Sequence, residues 1–395
     1  MLERLVAAGA DPLAHRPSDR PSLGYVCSYV PEEVILAAGF HPVRLGARPG
    51  PTGPADSLLQ TFACSFARAL LDGLLSGRAV GLSGVVFAYT CDSLRAAMEA
   101  WKVRAPAGSF IHFLNLPARL EGPGVDTYAA SEVQRLADAL AGVKGGRQVT
   151  AERLAEATRL VADLRRSLGR LDRVRSSRPD LLPGSVFIAV ARGAQALERS
   201  EAARLLAALA DEFEAAAAVG SATAVRSAAA VGSAGAAARP PQTAGRPRLL
   251  VSGGYLETEQ PLRLIEESGA DIVADDLCLG WRRIAFAEDD EPSGLAELAA
   301  RYLRRVPCAA KHPPEPRFDF VIRLADEHQV AGGVFLLQKF CDPHAFDYPA
   351  LRDRLEATGR PTLLLEVEQG SVASGQARTR LEAFVERLRA GGGSP

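Results

Sequence analysis

The chain has 395 residues, of which 47% are hydrophobic and 24% are charged, and its formal net charge is −1. This composition is typical of a globular protein with two or three domains and excludes a largely disordered chain. The balanced charge argues against nucleic acid as the main ligand. The sequence has neither a secretory signal nor an apolar run of about 20 residues, which a membrane helix requires. We therefore expect a cytoplasmic protein that does not bind membranes, with reduced thiols.

The first 125 residues alternate between predicted helices and strands. Pro31, Glu32 and Glu33 suit the start of a helix and Gly39 suits its end. Helices are predicted at residues 31–40, 64–77 and 93–102, and strands at 41–45, 84–90 and 110–116. Alternation of this kind predicts a parallel sheet with helices on both faces.

The middle of the chain has a different character. Residues 126–218 are mainly helical, because apolar residues recur there every three or four positions. The segment at 185–191, SVFIAVA, fits a strand and a buried helix equally well. Residues 215–247 are rich in Ala, Gly and Ser and contain Pro240–Pro241, which predicts a flexible insertion or linker without chemistry of its own.

The last third returns to alternation. Strands are predicted at 248–254, 271–276, 333–338 and 361–368, with helices at 260–269, 294–306, 350–359 and 376–388. We therefore expect an α/β fold with two doubly wound, Rossmann- or flavodoxin-like parallel-sheet domains facing a central cleft. The expected divisions are an N-terminal α/β domain at 1–125, an associated helical region at 126–214, the insertion or linker at 215–247 and a C-terminal α/β domain at 248–395.

Six cysteines fall at the ends of predicted elements and none in the middle of one. They are Cys27, Cys64, Cys91, Cys278, Cys308 and Cys341. Open parallel sheets bind ligands at the carboxyl ends of their strands, and helix N-termini favour thiolates. A lone cysteine is usually a small buried apolar residue, but six in such positions indicate a shared site. Soft thiolate ligands select iron–sulfur clusters, zinc or copper(I), and the spacing leaves these three open.

Six segments of the sequence are distinctive: CSYVPEEVILAAGFHPVRL (27–45), CSFARALLDGLLSG (64–77), YTCD (89–92), ESGADIVADDLCLGWR (267–282), KFCDP (339–343) and GQARTRLEAFVERL (375–388). They span most of the chain outside the helical middle and the Ala-rich insertion. In these segments the chain resembles the 2-hydroxyacyl-CoA dehydratase and benzoyl-CoA reductase family.

The resemblance implies a 4Fe-4S cluster held by Cys27, Cys91 and Cys341. It also implies a separate ATP-hydrolysing iron–sulfur activator protein that delivers single electrons. The enzyme then uses these electrons for the reduction or the radical dehydration of a CoA thioester or another unreactive small molecule. Members of the family work as homodimers or with a sister subunit.

The remaining cysteines make the chain similar to the double-cubane branch of that family, in which six cysteines hold two cubanes bridged by a sulfide (8Fe-9S). On this resemblance Cys64, Cys278 and Cys308 complete the ligand set. Two departures concern the substrate: LEVEQG stands where the family usually has an acidic pair ending in Asp, and the Ala-rich insertion is unusual.

Four further side chains are candidates for supporting roles. Ser28 and Ser65 each follow a cysteine and are candidate hydrogen-bond donors to cluster sulfur, with helix capping as the alternative. Glu33 is a candidate catalytic group that transfers protons, or else its negative charge interacts favourably with the helix dipole. Lys339 is a candidate catalytic residue that offsets cluster or CoA phosphate charge, or else a solvated lysine.

Several common motifs are absent from the sequence. It has no GxxxxGK[ST], so ATP hydrolysis is expected on a partner protein. It also lacks CxxC, HExxH and GxSxG motifs. Two alternatives to an enzyme component stay open at this point, namely a non-catalytic electron carrier or structural-metal protein, and a scaffold subunit of a CoA-linked complex.

Overall fold

The structure is a computed structural model that describes residues 1–47, 50, 52–219, 245–284, 292–368, 371–372 and 374–391. Most of the predicted insertion, residues 220–244, therefore lies outside the described residues. Within the described ranges, no helix combines the length and the apolarity that crossing a bilayer requires.

The first sheet consists of four parallel strands in the order β2-β1-β3-β4. These strands are β1 (Ser22–Val26), β2 (His41–Arg44), β3 (Gly84–Ala88) and β4 (Phe110–Leu114). The helices of this part are α1 (Leu2–Ala10), α2 (Glu32–Ala37), α3 (Gly53–Asp56), α4 (Ser65–Gly73), which a π-helical turn (Leu74–Arg78) extends, and α5 (Asp92–Arg104). The pattern failed to predict β1, because SLGYV is short and contains a glycine that weakens the strand signal.

Four helices form the middle of the chain: α6 (Val125–Ala141), α7 (Ala151–Ser177), α8 (Gly184–Gly193) and α9 (Arg199–Ala218). The ambiguous segment at 185–191 lies in α8, whose residues are all buried. Helix α1 packs against α8 so closely that a Cβ on Gly193 would lie 1.8 Å from the carbonyl oxygen of Leu5. The predicted linker begins too early, because α9 continues to Ala218. Alanine is the strongest helix former, so it prolongs α9.

The second sheet repeats the topology of the first, with the parallel order β6-β5-β7-β8. Its strands are β5 (Arg248–Gly253), β6 (Asp271–Asp276), β7 (Gly332–Gln338) and β8 (Thr362–Val367). Its helices are α10 (Gln260–Glu267), α11 (Trp281–Ile284), α12 (Leu295–Arg304), α13 (Glu315–Glu327), α14 (Asp342–Ala357) and α15 (Ser374–Gly391). The predicted α/β fold with two parallel-sheet domains is confirmed.

One hydrophobic core extends across both sheets. It includes Val26 and Phe87 of the first sheet and Leu249 and Leu336 of the second. Helices α7 and α8 of the middle region also contact β6 of the second sheet. The two sheets are therefore held against each other by shared apolar packing.

A buried carboxylate adds a polar link between the two halves of the chain. Glu32 of α2 accepts hydrogen bonds from Arg199 of α9 at 2.9 Å and from Arg283 of α11 at 3.0 Å. Burial opposes ionisation, but the two guanidinium groups lower the pKa of Glu32 to about 2. The carboxylate is therefore charged at neutral pH and fixes α2 relative to the second half.

Candidate metal centre

All six cysteine side chains line one cavity of about 110 Å³ between the two sheets. Each cysteine carries a free thiol. The cavity wall also contains residues at or just beyond the carboxyl ends of β1, β3, β5 and β7, namely Val26, Thr90, Gly254 and Gln338. The carboxyl edges of both sheets therefore meet at the cysteines, which is where parallel sheets bind ligands.

Three of the cysteines, which we call the helix-capped trio, are the N-cap residues of helices: Cys64 for α4, Cys91 for α5 and Cys341 for α14. A hydrogen bond between the Cys64 and Cys341 thiols lowers the pKa of Cys64, and the first-turn N–H groups of α4 act in the same direction. Since three positive helix ends converge here, this trio is suited to negative charge.

Two contacts hold the helix-capped trio together. The N–H of Cys64 donates to Ser93 Oγ, two residues beyond Cys91, at 3.4 Å. On the other side, Ser65 Oγ donates to Gln338 Oε1 at 2.9 Å, three residues before Cys341. The start of α4 is thereby fixed both to the start of α5 and to the end of β7.

The other three cysteines, the loop trio, are Cys27, Cys278 and Cys308. Arg305 joins their loops, because its guanidinium donates to the carbonyl oxygens of Ser28 at 2.6 Å and Arg282 at 2.9 Å. Tyr29 Oη accepts a hydrogen bond from the N–H of Cys308 at 3.3 Å. The charges of Cys27 and Cys278 both act on the Cys308 thiol, so the three sulfurs are electrostatic neighbours.

The loop that carries Cys278 is shaped by one carboxylate. Asp275, at the end of β6, accepts hydrogen bonds from the N–H groups of Leu277 and Trp281, both at 3.0 Å, and from Arg175 at 2.6 Å. The chain turns tightly around this carboxylate at Gly280. A Cβ on Gly280 would lie 1.9 Å from Asp275 Oδ1, so only glycine fits there.

Backbone strain is concentrated at the cysteines. Cys27 has a φ of 83° and Phe340, directly before Cys341, has a φ of 64°. Among the described non-glycine residues, only Gln329 also has a positive φ. L-residues rarely adopt this left-handed conformation, and it tends to occur where a site requires it.

The cavity suits an anionic group that binds thiolates. Among the described residues that line it, none is Asp or Glu, whereas Arg44 is one of them. Burial raises the pKa of Cys91 to about 12 and also raises the pKa of Cys308, so a metal bound there would have to displace protons from these thiols.

The described His, Cys, Asp and Glu side chains form no group of three or more that is arranged around a single metal ion. Six cysteine thiols in one cavity are nevertheless a donor set of the kind that holds iron–sulfur clusters.

A second cavity, of about 420 Å³, adjoins the first. The helix-capped trio lines both cavities, whereas the loop trio lines only the first. The other lining residues include Tyr89, Asp92, Lys311, His312, Phe340, Phe346 and Asp347. The two trios thus differ in access, and a small molecule in the second cavity would lie beside Cys64, Cys91 and Cys341.

The two predicted serines lie beside the cysteines but have other hydrogen-bond partners. Ser65 is fully buried and donates to Gln338, as described above. Ser28 Oγ lies 3.4 Å from a guanidinium nitrogen of Arg305. Both serines therefore fix the segments that carry the neighbouring cysteines.

The two predicted catalytic residues, Glu33 and Lys339, are not among the residues that line either cavity. Glu33 is fully buried, accepts a 2.6 Å hydrogen bond from Tyr302 Oη and forms an ion pair with Arg165 at 3.0 Å. Lys339 forms an ion pair with Glu368 at 3.2 Å, and its side chain is 42% exposed. The structure gives both residues structural partners rather than access to the cysteines.

Several side chains around the cysteines were not predicted from the sequence. Arg44 and Gln338 belong to the cavity wall, and Tyr29 and Arg305 hold the loop trio. For Arg44 and Gln338 a signal existed, since each is a polar residue within an apolar strand pattern (HPVRL and GVFLLQ). Tyr29 and Arg305 carry no such signal, because their partners lie far away along the chain.

Comparison with known proteins agrees with this geometry. The family model for "2-hydroxyglutaryl-CoA dehydratase, D-component" matches residues 27–388, which include all six cysteines.

The (R)-2-hydroxyglutaryl-CoA dehydratase subunit beta of Acidaminococcus fermentans is 27% identical over 386 residues, covering 95% of this chain and 94% of that protein. The (R)-phenyllactyl-CoA dehydratase beta subunit of Clostridium sporogenes is 24% identical and covers 93% and 91%. A benzoyl-CoA reductase subunit from Thauera aromatica is 23% identical and covers 94% and 91%. The chain therefore belongs to the 2-hydroxyglutaryl-CoA dehydratase D-component family, the dehydratase and reductase family that its sequence resembles, and is an enzyme component of that family.

Proposed function

We propose that this chain is the iron–sulfur component of an enzyme that accepts low-potential single electrons from an ATP-hydrolysing activator protein. It uses these electrons for a reduction or a radical dehydration. One observation carries the proposal: six thiols from six separate segments, between positions 27 and 341, line a single cavity whose described wall contains no carboxylate. An iron–sulfur cluster bound there supplies single electrons at a potential set by charge, hydrogen bonds and solvent access.

The grouping of the thiols supports two cubanes, each held by one trio. The trios are adjacent, because they line the same cavity and because the Cys27 and Cys308 side chains both help to raise the pKa of Cys91 in the helix-capped trio. For the alternative of one 4Fe-4S cluster, the resemblance assigns Cys27, Cys91 and Cys341. The geometry favours Cys64 in place of Cys27, because Cys64 shares a hydrogen bond with Cys341.

The second cavity is the proposed entry and binding site of the substrate, a CoA thioester or another small molecule. It is bounded by the helix-capped trio on one side and by exposed residues such as Phe346 on the other. Lys311 lies in its wall and is almost fully buried. Its Nζ donates to the carbonyl oxygens of Leu116 and Pro117 at 3.3 and 2.6 Å, which fixes the wall opposite α14.

The proposed partners follow from the relatives and the sequence. The named relatives are subunits of dehydratases and a reductase, which supports a sister subunit or a second copy of this chain as the partner. An activator that hydrolyses ATP is proposed because the sequence has no phosphate-binding loop.

The proposal is tested by anaerobic purification with iron and sulfide analysis and electron paramagnetic resonance. Two cubanes predict about eight irons per chain, and one predicts about four. A zinc-only protein, or one without sulfide, would contradict the proposal. ATP-dependent turnover with an added activator then separates an enzyme from a non-catalytic electron carrier.

Single Cys→Ser variants test the two trios. Because serine is a good N-cap residue, Cys64→Ser, Cys91→Ser and Cys341→Ser should preserve the fold while each loses about half of the iron. Variants at Cys27, Cys278 and Cys308 should each lose the other half. If the loop-trio variants keep the full iron content, the centre is a single cubane on the helix-capped trio.

A further inference from the structure

Arg44, at the end of β2, is an unusual arginine in this protein. It is only 5% exposed and lines the cysteine cavity. The carbon at the centre of its guanidinium lies 5.5 Å from the middle of the Tyr25 ring and 5.4 Å from that of the Tyr255 ring. Within the described part of the chain, this guanidinium has no ion pair, and its Nε is buried without a hydrogen-bond partner.

Four fully buried arginines are neutralised within the protein. Arg175, Arg199, Arg282 and Arg317 are fully buried, and each forms an ion pair with at least one buried carboxylate. Such pairing is the rule, because a buried charge without a partner is costly. Arg44 departs from this rule in the cavity where the chain gathers its thiols, and the described residues of the cavity wall include no carboxylate.

The surroundings hold Arg44 in place without neutralising it. The Tyr25 hydroxyl lies 3.4 Å from Gln195 Oε1, which fixes one ring. The second ring passes directly over Gly46, where a Cβ would lie 2.2 Å from Tyr255 Oη. The two aromatic rings attract a cation and orient its planar group, but they leave its full charge directed at the cavity.

We propose that Arg44 is the fixed counter-cation of the cluster and sets its reduction potential. This inference rests on the proposed function. Reduction adds negative charge to the cavity, and a fixed positive charge in a site of low dielectric constant favours the reduced state. Arg44 is thus a positioning and charge-balancing residue rather than one that contacts substrate.

Three variants test this. Arg44→Met removes the charge and keeps much of the volume, and Arg44→Lys keeps the charge without the planar group. Arg95→Met removes an exposed positive charge from α5, one turn beyond Cys91, where solvent screens it. Iron content and the midpoint potential are measured without substrate, the latter by redox titration followed by electron paramagnetic resonance.

We expect Arg44→Met to lower the one-electron reduction equilibrium constant at least tenfold, a potential shift of about 59 mV. Arg44→Lys should lie between Arg44→Met and the wild type, and Arg95→Met should equal the wild type. If Arg44→Met has full iron and an unchanged potential, the proposal is overturned. An unchanged potential with a raised KM would overturn it too, because Arg44 would then recognise an anionic substrate.

The iron-free full chain provides a second test that does not need a cluster. An unpaired buried cation destabilises the iron-free protein, so Arg44→Met should raise its thermal midpoint above that of the wild type. If Arg44 were a purely structural residue, Arg44→Met would instead lower the thermal midpoint of the iron-free chain. That result would overturn the proposal, even if Arg44→Met failed to bind iron. Absence of iron and sulfide from the wild type would instead refute the proposed function, which separates the two failures.

Discussion

Glu257 is a buried carboxyl group close to the cysteines. Its Oε2 accepts a hydrogen bond from Gln338 Nε2 at 2.9 Å, while its Oε1 is buried without a partner. Burial raises the pKa of Glu257 to about 7. The Gln338 side chain also accepts a hydrogen bond from the hydroxyl group of Ser65, which is next to Cys64. The carboxyl group is therefore connected to the helix-capped trio through two side chains.

The raised pKa of Glu257 predicts a specific pH dependence of folding stability. Its pKa is higher in the folded than in the unfolded chain, so folding stability falls as pH rises from about 4.5 to about 7. The loss is on the order of 3 kcal/mol, at about 1.4 kcal/mol per pKa unit. Glu257→Gln should remove this loss and be more stable than the wild type at pH 8 but not at pH 5.

The measurement is denaturant unfolding at both pH values. Glu99→Gln, which changes an exposed carboxylate on α5, is the control and should follow the wild type. Parallel pH curves for Glu257→Gln and the wild type would show that the buried carboxyl group does not titrate as described.

At the scale of elements, α2, α7 and α12 are joined by one buried polar cluster. Glu33 of α2 accepts a hydrogen bond from Tyr302 of α12 and forms an ion pair with Arg165 of α7, and the tyrosine hydroxyl lies 3.2 Å from the same guanidinium. All three side chains are deeply buried. This cluster positions the helix that directly follows the Cys27 loop.

We predict that Arg165→Met is strongly destabilising, because it removes the guanidinium that forms an ion pair with the buried Glu33. The expected cost is about 3–5 kcal/mol of unfolding free energy, measured by denaturant titration. Adding Glu33→Gln should restore much of this stability, because the double variant buries no lone charge. Equal stability of the single and double variants would contradict the pairing, and iron content serves as the check on the centre.

The sequence could predict features that local patterns define, but not those that depend on contacts between residues far apart in the chain. Strands such as β3 and β7 were predictable because both are continuous apolar runs, and the cysteines after them were placed at the correct sheet edge. The role of Glu33 was not predictable, because its partners Arg165 and Tyr302 lie far along the chain. The same applies to Arg44, since Tyr255 reaches it only in the folded protein.

For the whole molecule, each trio takes thiols from both halves of the chain. The helix-capped trio combines Cys64 and Cys91 with Cys341, and the loop trio combines Cys27 with Cys278 and Cys308. A cluster bound by either trio therefore cross-links the two sheets. Binding energy that exists only in the folded state adds to its stability.

Removal of iron by a chelator should therefore lower the thermal midpoint, by about 1 °C for each kcal/mol of binding energy lost in a chain of this length. Protease cleavage should increase mainly in the loops around the cysteines, which mass spectrometry of the fragments would locate. Reconstitution with iron and sulfide is the control and should reverse both effects. An iron-free chain with an unchanged midpoint and cleavage pattern would rule out a cross-linking role.

The two sheets share one strand order, so the two halves of the chain repeat the same topology. In each half the third strand, β3 or β7, ends three residues before a cysteine, and that cysteine and the aspartate after it begin the next helix. Cys91 and Cys341 thus occupy the same topological position in the two halves. Neither half, expressed as a separate fragment, would contain all three cysteines of either trio.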